Sequence, residues 1–181
     1  MTLLKVFDET GELQARFEDH GEIAERLGEA GVLLERWEAS RPLAEDADQE
    51  AILAAYAPEV ERLKTRYGFA SADVIALTPD HPDRGVLRAK FLDEHTHSDF
   101  EVRFFVRGQG LFYIHRPGVV YGVLCQAGDL ISVPAQTPHW FDMGAAPDFQ
   151  CIRLFTTPEG WVAEYTGDPI AKRFPRLEGF A

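Results

Sequence analysis

From Asp73 onward, the chain is a succession of short β-type stretches separated by turns that contain glycine or proline. Many short strands with turn signals between them are typical of a β-sandwich or barrel, not of a βαβ fold. The glycines at 108, 110, 118 and 128 are predicted to separate the strands. The predicted strands cover residues 74–77, 87–92, 102–106, 111–115, 119–124, 130–133 and 150–156.

Residues 1–70 are patterned differently and predict a mostly helical layer without chemistry of its own. One helix is predicted over 22–29, with Gly31 as its stop, and a longer helical pattern covers 48–67, followed by Gly68 as a C-terminal cap. Pro58 inside that pattern predicts a kink, or two helices with Pro58 in the first turn of the second. The residues that recur at helical spacing along one face of this longer pattern are Ile52, Leu53, Tyr56, Val60, Leu63 and Tyr67.

The expected architecture is a single domain over residues 1–181, mainly β with added helices. Its helical N-terminal part covers 1–70 and its β-barrel core covers 71–181. A chain of this length buries a sufficient core without disulfide bonds. Cys125 and Cys151 both lie in apolar, strand-like stretches, which predicts a buried, reduced pair.

The charge balance favours a small molecule or another protein as the partner. The formal net charge is −12 and no Lys/Arg run interrupts the acidic background, so neither nucleic acid nor an anionic membrane is an expected partner. Asp8 and Glu9 precede any apolar stretch long enough for a signal peptide, and no apolar run reaches the roughly 18 residues of a membrane span. We expect a cytoplasmic protein, and the composition is compatible with a monomer.

A histidine and carboxylate constellation is the strongest chemical signal. Residues two apart in a strand share a face, so His95 and His97 present two imidazoles together, with Glu101 and Arg103 at the same parity. His139 follows a strand and a tight turn and supplies a further ligand. Imidazoles and a carboxylate suit a borderline divalent metal, and these ligand types accept Fe, Ni, Co and Mn alike.

The alternative interpretation is a pair of surface histidines beside a solvated glutamate. It is disfavoured because the neighbouring residues are apolar and strand-like. A structural or solvent-exposed role is the expectation for His20, His81 and His115.

Two motifs resemble those of the cupin superfamily, which implies a jelly-roll β-barrel. The first is matched by His95, His97, Glu101 and Gly108, and the second by Gly128, Pro134 and His139. Gln136 and Met143 depart from the second motif, where a glycine and an asparagine are usual. Gln136 predicts a turn that does not require a positive φ.

Longer runs are similar to those of the acireductone dioxygenase family within the cupins. The similarity is dense from residue 87 to residue 175 and weaker before it. The runs that carry it are 91–97, 101–106, 139–144, 152–155, 159–163, 165–167 and 173–175.

This resemblance implies one Fe(II) or Ni(II) ion per chain, bound by His95, His97, Glu101 and His139. Four protein ligands leave two adjacent positions on an octahedral ion. The implied substrates are O2 and an acireductone, an enediol ketone with a methylthio tail from the methionine salvage pathway. The Fe(II) form is expected to release formate and the keto acid precursor of methionine. The Ni(II) form is expected to release formate, carbon monoxide and methylthiopropionate.

Polar residues near the predicted ligands are candidates for catalysis and substrate binding. Arg103 is predicted to hold the enediolate through charge-assisted hydrogen bonds. Arg153 either does the same or forms a structural ion pair with Glu101 or Asp142. Glu94 is predicted to accept a proton, or to orient a ligand imidazole.

Three aromatic residues are candidates for an apolar sleeve around the methylthio tail: Phe91, Phe141 and Trp161. The alternative for each is ordinary core packing. Rival functions are another cupin oxygenase, a metal-dependent isomerase or hydrolase that does not consume O2, and a non-enzymatic cupin sensor or storage protein.

Overall fold

The computed structural model describes residues 1–39, 43–44, 47–157 and 162–181, and within them the chain forms eleven strands and four α-helices. The strands are β1 (Leu3–Phe7), β2 (Leu13–Phe17), β3 (Leu33–Arg36), β4 (Ser71–Leu77), β5 (His95–Thr96), β6 (Glu101–Arg116), β7 (Val119–Gln126), β8 (Asp129–Val133), β9 (His139–Asp142), β10 (Phe149–Phe155) and β11 (Glu164–Tyr165). The helices are α1 (His20–Glu29), α2 (Gln49–Ala55), α3 (Ala57–Tyr67) and α4 (Arg84–Leu92), with 3-10 turns at Pro169–Arg173 and Leu177–Gly179.

The long strand β6 belongs to two antiparallel sheets. Its first half pairs with β10 and β8, which in turn pair with β4 and β3, and its second half lies in the order β11-β5-β9-β6-β7-β1-β2. Gly108 marks the change of sheet: it has φ +77°, and a Cβ there would collide with the carbonyl oxygen of Asp148. Gly108 and Gly110 were predicted to separate two strands, which is wrong because both lie within β6.

Apolar side chains from both sheets meet in one core. Members from the first half of β6 and from β10 include Phe105 and Phe149, and members from the other sheet include Phe112 and Phe141. Both cysteines lie in this cluster, buried and free, as predicted. The predicted mainly β architecture with added helices is therefore confirmed.

Helices α2 and α3 match the longer helical pattern, divided at the predicted proline. Pro58 lies in the first turn of α3, and Gly68 caps that helix with φ +75° and an N–H bond to the Lys64 carbonyl. Val60 and Leu63 are buried against the outer face of β6, each stabilising the fold by about 2 kcal/mol. Tyr67 is 42% exposed, so its predicted place on the buried stripe is wrong.

Two further predictions about secondary structure are wrong. Strands β1, β2 and β3 lie in the part predicted as mostly helical. The alternation of apolar and polar residues from Leu13 to Phe17 in β2 was a strand signal that this prediction missed. The predicted strand 87–92 belongs to helix α4, because Leu87 and Phe91 are four residues apart and both pack against the core from one helix face. In the described residues, no helix has the length and apolar character needed to cross a bilayer.

Candidate metal centre

The four predicted ligands converge between the strands. His95 on β5 is in register with His139 on β9, His97 follows β5, and Glu101 begins β6. One ligating atom from each of the four lies within 4.8 Å of all the others, and all four side chains are buried. The segment from His95 to Glu101 and the turn before His139 therefore bring their ligating atoms together in one compact set.

Backbone carbonyl groups hold each imidazole in one orientation. A carbonyl oxygen only accepts, so the Nδ1 of each ring carries a proton and donates it, and Nε2 is the nitrogen of each ring that remains for the centre. The three bonds are His95 to Asp93 (2.8 Å), His97 to Val162 (3.0 Å) and His139 to Thr137 (2.8 Å). This is the arrangement that metal-binding histidines need.

Glu101 supplies the anionic oxygen at the middle of the group. Its Oε2 lies 2.9 Å from Nε2 of both His97 and His139, and its Oε1 accepts a hydrogen bond from Nε of Arg103 at 3.0 Å. Burial raises the pKa of this carboxyl, but the Arg103 charge and the histidine hydrogen bonds outweigh burial and hold the pKa well below its ordinary value. Glu101 is therefore ionised at neutral pH.

The pKa shifts of two ligand histidines have opposite directions in the metal-free protein. Burial and the neighbouring His139 lower the pKa of His95 to about 4, so its ring is neutral at physiological pH. Burial lowers the pKa of His97, yet its bond to Glu101 outweighs that effect and raises the pKa. Neutral imidazole nitrogens with one carboxylate oxygen fit a borderline first-row divalent ion, and the donor set does not choose among such metals.

Arg103 lies beside this centre on the predicted face of β6. Its side chain is 2% exposed, and its Cζ lies 4.3 Å from the ring centre of Phe141 and 5.8 Å from that of Phe91. The guanidinium is thus sandwiched between the carboxylate of Glu101 and aromatic rings, a geometry that stabilises a buried cation.

Two of the three predicted sleeve residues form an apolar wall next to Arg103. Phe141 lies on β9, two residues after His139, and its ring centre is 6.4 Å from that of Phe91 on α4. Phe141 is buried and Phe91 is half-buried. Trp161 lies outside the described residues.

Arg153 forms a structural ion pair with a residue other than those predicted. Nε and one Nη donate to the two carboxylate oxygens of Asp73 on β4, at 2.8 Å and 2.6 Å. The predicted partners, Glu101 and Asp142, bond instead to Arg103 and Arg88. Arg153 is in register with Arg103 across β10 and β6, so both side chains emerge on the same face of the sheet.

Glu94 is buried and bonded to residues that the sequence did not connect with it. Its Oε2 lies 2.6 Å from Nδ1 of His115, and its Oε1 accepts a hydrogen bond from the Thr166 hydroxyl at 2.8 Å. His115 also lies 3.1 Å from Oε1 of Glu9, so it bridges two carboxylates. Backbone carbonyls, not Glu94, orient the ligand imidazoles.

Asp99 supports the ligand loop and was not predicted. It is buried, and its carboxylate accepts hydrogen bonds from the N–H of Thr156 at 2.8 Å and from the Thr156 hydroxyl at 2.5 Å. These bonds tie the turn between His97 and Glu101 to the end of β10. A short acidic residue inside a ligand turn was the only signal in the sequence.

The turn that carries His139 differs from its prediction. Gln136 has φ +60°, so the expectation that this turn needs no positive φ is wrong. Its N–H donates to the His97 carbonyl at 2.8 Å, which links the second motif to the first. The glycine usual at this position of the motif was the signal for the left-handed conformation.

A buried donor set of three histidines and one glutamate, held on two antiparallel sheets that share β6, defines the metal-binding cupins. A sequence model of the ARD/ARD' family matches residues 4–163. The chain belongs to the ARD/ARD' family.

Curated relatives match between four fifths and the whole of the chain. The chain is 59% identical over 178 residues to acireductone dioxygenase of Aquifex aeolicus, covering 98% of this chain and 97% of the relative. It is 56% identical over 183 residues to the Marinobacter nauticus protein of the same name, covering 100% and 98%. It is 65% identical over 145 residues to that of Methylococcus capsulatus, covering 80% and 78%.

A solved structure extends the similarity to the fold. Acireductone dioxygenase from Bacillus anthracis, with a cadmium ion in its active centre, superposes with a TM-score of 0.82 at 33% identity, covering 91% of this chain and 98% of that one. The predicted family and cupin fold are confirmed.

Proposed function

We propose that this protein cleaves an acireductone with O2, using one Fe(II) or Ni(II) ion held by His95, His97, Glu101 and His139. The observation that carries the proposal is the buried set of four ligating atoms within 4.8 Å of one another, in a chain of the ARD/ARD' family. When bound, the ion supplies a Lewis acid with open positions for an electron-rich enediol and for oxygen chemistry.

Arg103 is proposed to anchor the substrate. Its guanidinium is buried beside Glu101, where a negative enediolate oxygen gains a charge-assisted hydrogen bond that water does not weaken. A second cation on the same face, Arg153, is proposed to contact the substrate while Asp73 holds it in place.

The aromatic wall is proposed to receive the methylthio tail. Phe91 and Phe141 face Arg103 from α4 and β9, and Trp161 is proposed to complete the sleeve. Such a wall binds an apolar tail and excludes water from the reacting atoms.

Glu94 is proposed to accept a proton during the reaction. It precedes His95, is buried, and is bonded to His115, which links it to Glu9. A carboxylate connected in this way passes a proton outward through hydrogen-bonded partners.

The products are proposed to depend on the metal. The Fe(II) form yields formate and the keto acid precursor of methionine, and the Ni(II) form yields formate, carbon monoxide and methylthiopropionate. The protein is proposed to act in methionine salvage as a cytoplasmic monomer, with no nucleic-acid or membrane partner. The acidic charge balance supports the last point.

The test is to load metal-free protein separately with Fe(II) and with Ni(II), add acireductone aerobically, and follow O2 uptake and products. His139→Ala is the inactive control and His81→Ala, which alters a histidine outside the donor set, is the matched active one. O2 uptake by both forms with different products is the expected result. Stoichiometric metal binding without O2 uptake would overturn the proposal and favour a binding protein.

A further inference from the structure

Helix α4 covers one side of the site without burying any side chain completely. Its apolar residues Leu87 and Phe91 are only half-buried against the core. A nine-residue helix gains little stability from its own hydrogen bonds, so its position depends on its contacts with other elements.

The strongest of these contacts is polar. Arg88 donates from Nε and one Nη to the two carboxylate oxygens of Asp142 at the end of β9, at 2.7 Å and 3.0 Å. The same Nη donates to Glu178 in the C-terminal segment at 2.9 Å. Two parallel bonds between a guanidinium and a carboxylate fix both distance and angle.

Asp142 is itself held firmly. Its side chain is 1% exposed, and it accepts backbone hydrogen bonds from Gly144 at 2.9 Å and from Leu177 at 3.0 Å. Burial raises the pKa of this carboxyl, but the bonds from Arg88 and from the backbone outweigh burial and lower the pKa, so Asp142 stays charged at neutral pH. The C-terminal segment, β9 and α4 are thus joined at one carboxylate.

The Arg88–Asp142 ion pair lies next to the residues of the apolar wall on both α4 and β9. Asp142 directly follows Phe141 on β9, and Phe91 comes three residues after Arg88, on the neighbouring position of the same helix face. The bidentate ion pair and the Phe91–Phe141 contact are therefore two adjacent links between the same helix and the same strand.

We propose that Arg88 and Asp142 are positioning residues that set the gap between Phe91 and Phe141, and thereby the selectivity for the substrate tail. This inference rests on the proposed function. It assigns selectivity to a pair of charged residues that contact neither the metal ligands nor Arg103 by any hydrogen bond in the described residues.

The experiment compares kcat and KM for two acireductones on the metal-loaded enzyme, one with the methylthio tail and one with the tail shortened to a methyl group. In Arg88→Met, we expect the preference in kcat/KM for the long tail to fall about tenfold, mainly through KM, because a displaced Phe91 no longer packs on the tail. Metal content is expected to stay at the wild-type value. Arg84→Met removes an exposed arginine from the first turn of the same helix and is expected to leave the preference unchanged.

Arg88→Lys keeps the charge but loses the bidentate hydrogen bonding to Asp142. Its preference in kcat/KM for the long tail is therefore expected to lie between those of wild type and Arg88→Met. This variant decides the question if Arg88→Met does not fold. An equal loss with both substrates, or an unchanged preference in Arg88→Met and Arg88→Lys, would overturn the inference. Failure of the wild-type protein to turn over either acireductone would instead reject the proposed function.

Discussion

Glu101 and Arg103, two residues apart on β6, are joined by a 3.0 Å hydrogen bond from Nε to Oε1 while both side chains are almost fully buried. The other oxygen of Glu101 is directed at His97 and His139. One carboxylate thus serves the candidate metal centre and the candidate substrate anchor together. Burial of both charges is tolerated because each compensates the other.

Removal of the guanidinium tests this coupling. In Arg103→Ala we expect kcat/KM for acireductone to fall by about 100-fold or more, because the substrate anion loses its buried hydrogen-bond donor. Metal affinity should fall by about 10- to 100-fold, since Glu101 loses the partner that orients it. Steady-state O2 uptake and metal titration measure the two effects.

Arg107→Ala is the matched control, since Arg107 lies further along β6, is exposed and pairs with Asp148. It should change neither quantity. If Arg103→Ala kept full metal content and full turnover, its role as substrate anchor would have to be abandoned.

The donor set predicts the result of deleting one imidazole. His139→Ala should weaken metal binding by at least about 100-fold, because the remaining ligands lose one nitrogen and Glu101 loses a hydrogen-bonding neighbour. Competition with a chromogenic chelator measures the affinity. His81→Ala should bind metal as the wild type does, and a wild-type affinity in His139→Ala would exclude His139 from the ligands.

The left-handed backbone conformation of Gln136 leads us to expect an unusual response of stability to substitution at this position. A non-glycine residue at this φ costs about 1–2 kcal/mol, whereas glycine pays only about 0.5–1 kcal/mol of extra backbone entropy on folding. Gln136→Gly should therefore leave the free energy of unfolding unchanged or raise it by up to about 1 kcal/mol, as measured by urea denaturation.

Two other substitutions calibrate that result. Gln136→Val should destabilise the fold by about 1–2 kcal/mol, because a β-branched side chain is poorly accommodated at positive φ. Gln14→Gly, in the exposed strand β2, should lose about 0.5–1 kcal/mol. A loss in Gln136→Gly as large as that in Gln14→Gly would show that this turn stores no strain.

Sequence reasoning located the ligands because their relationship is local. His95, His97 and Glu101 lie within seven residues, so they stay close in space even though a turn separates His97 from Glu101, and the turn before His139 follows a known motif. Contacts between residues far apart in the sequence leave no such local signal. The pairing of Arg153 with Asp73 and of Arg88 with Asp142 depends on which strands and helices become neighbours, which one sequence does not reveal.

The secondary structure of some elements was predicted wrongly for a related reason. The apolar run at 87–92 fits a strand or a helix equally well until its contacts with the core select the helix. Strands β1 and β2 are short and complete the edge of a sheet in which the neighbouring strand, β7, begins more than 100 residues later. β1 pairs with β7 and β2 pairs with β1, so the formation of both strands depends on a contact with a distant part of the chain.

His115 predicts a pH dependence of stability in the metal-free protein. Burial lowers its pKa, but the hydrogen bonds to Glu9 and Glu94 outweigh burial and raise the pKa above the ordinary 6.5. A raised pKa in the folded state means that the stabilisation is fully present below the unfolded pKa and is lost as pH rises through the folded pKa. The advantage of wild type over His115→Gln in free energy of unfolding should therefore be larger at about pH 5.5 than at about pH 8.5.

Urea denaturation of both proteins at the two pH values, with chelator present, measures that difference directly. Titrations of all other groups are common to the two proteins and cancel in the comparison, apart from Glu9 and Glu94, which lose their partner. His81→Gln, in a loop away from Glu9 and Glu94, is the matched control for replacing a histidine with glutamine. If the advantage over His115→Gln grew with pH instead, His115 would be held neutral by burial, and its two carboxylate contacts would not control its charge.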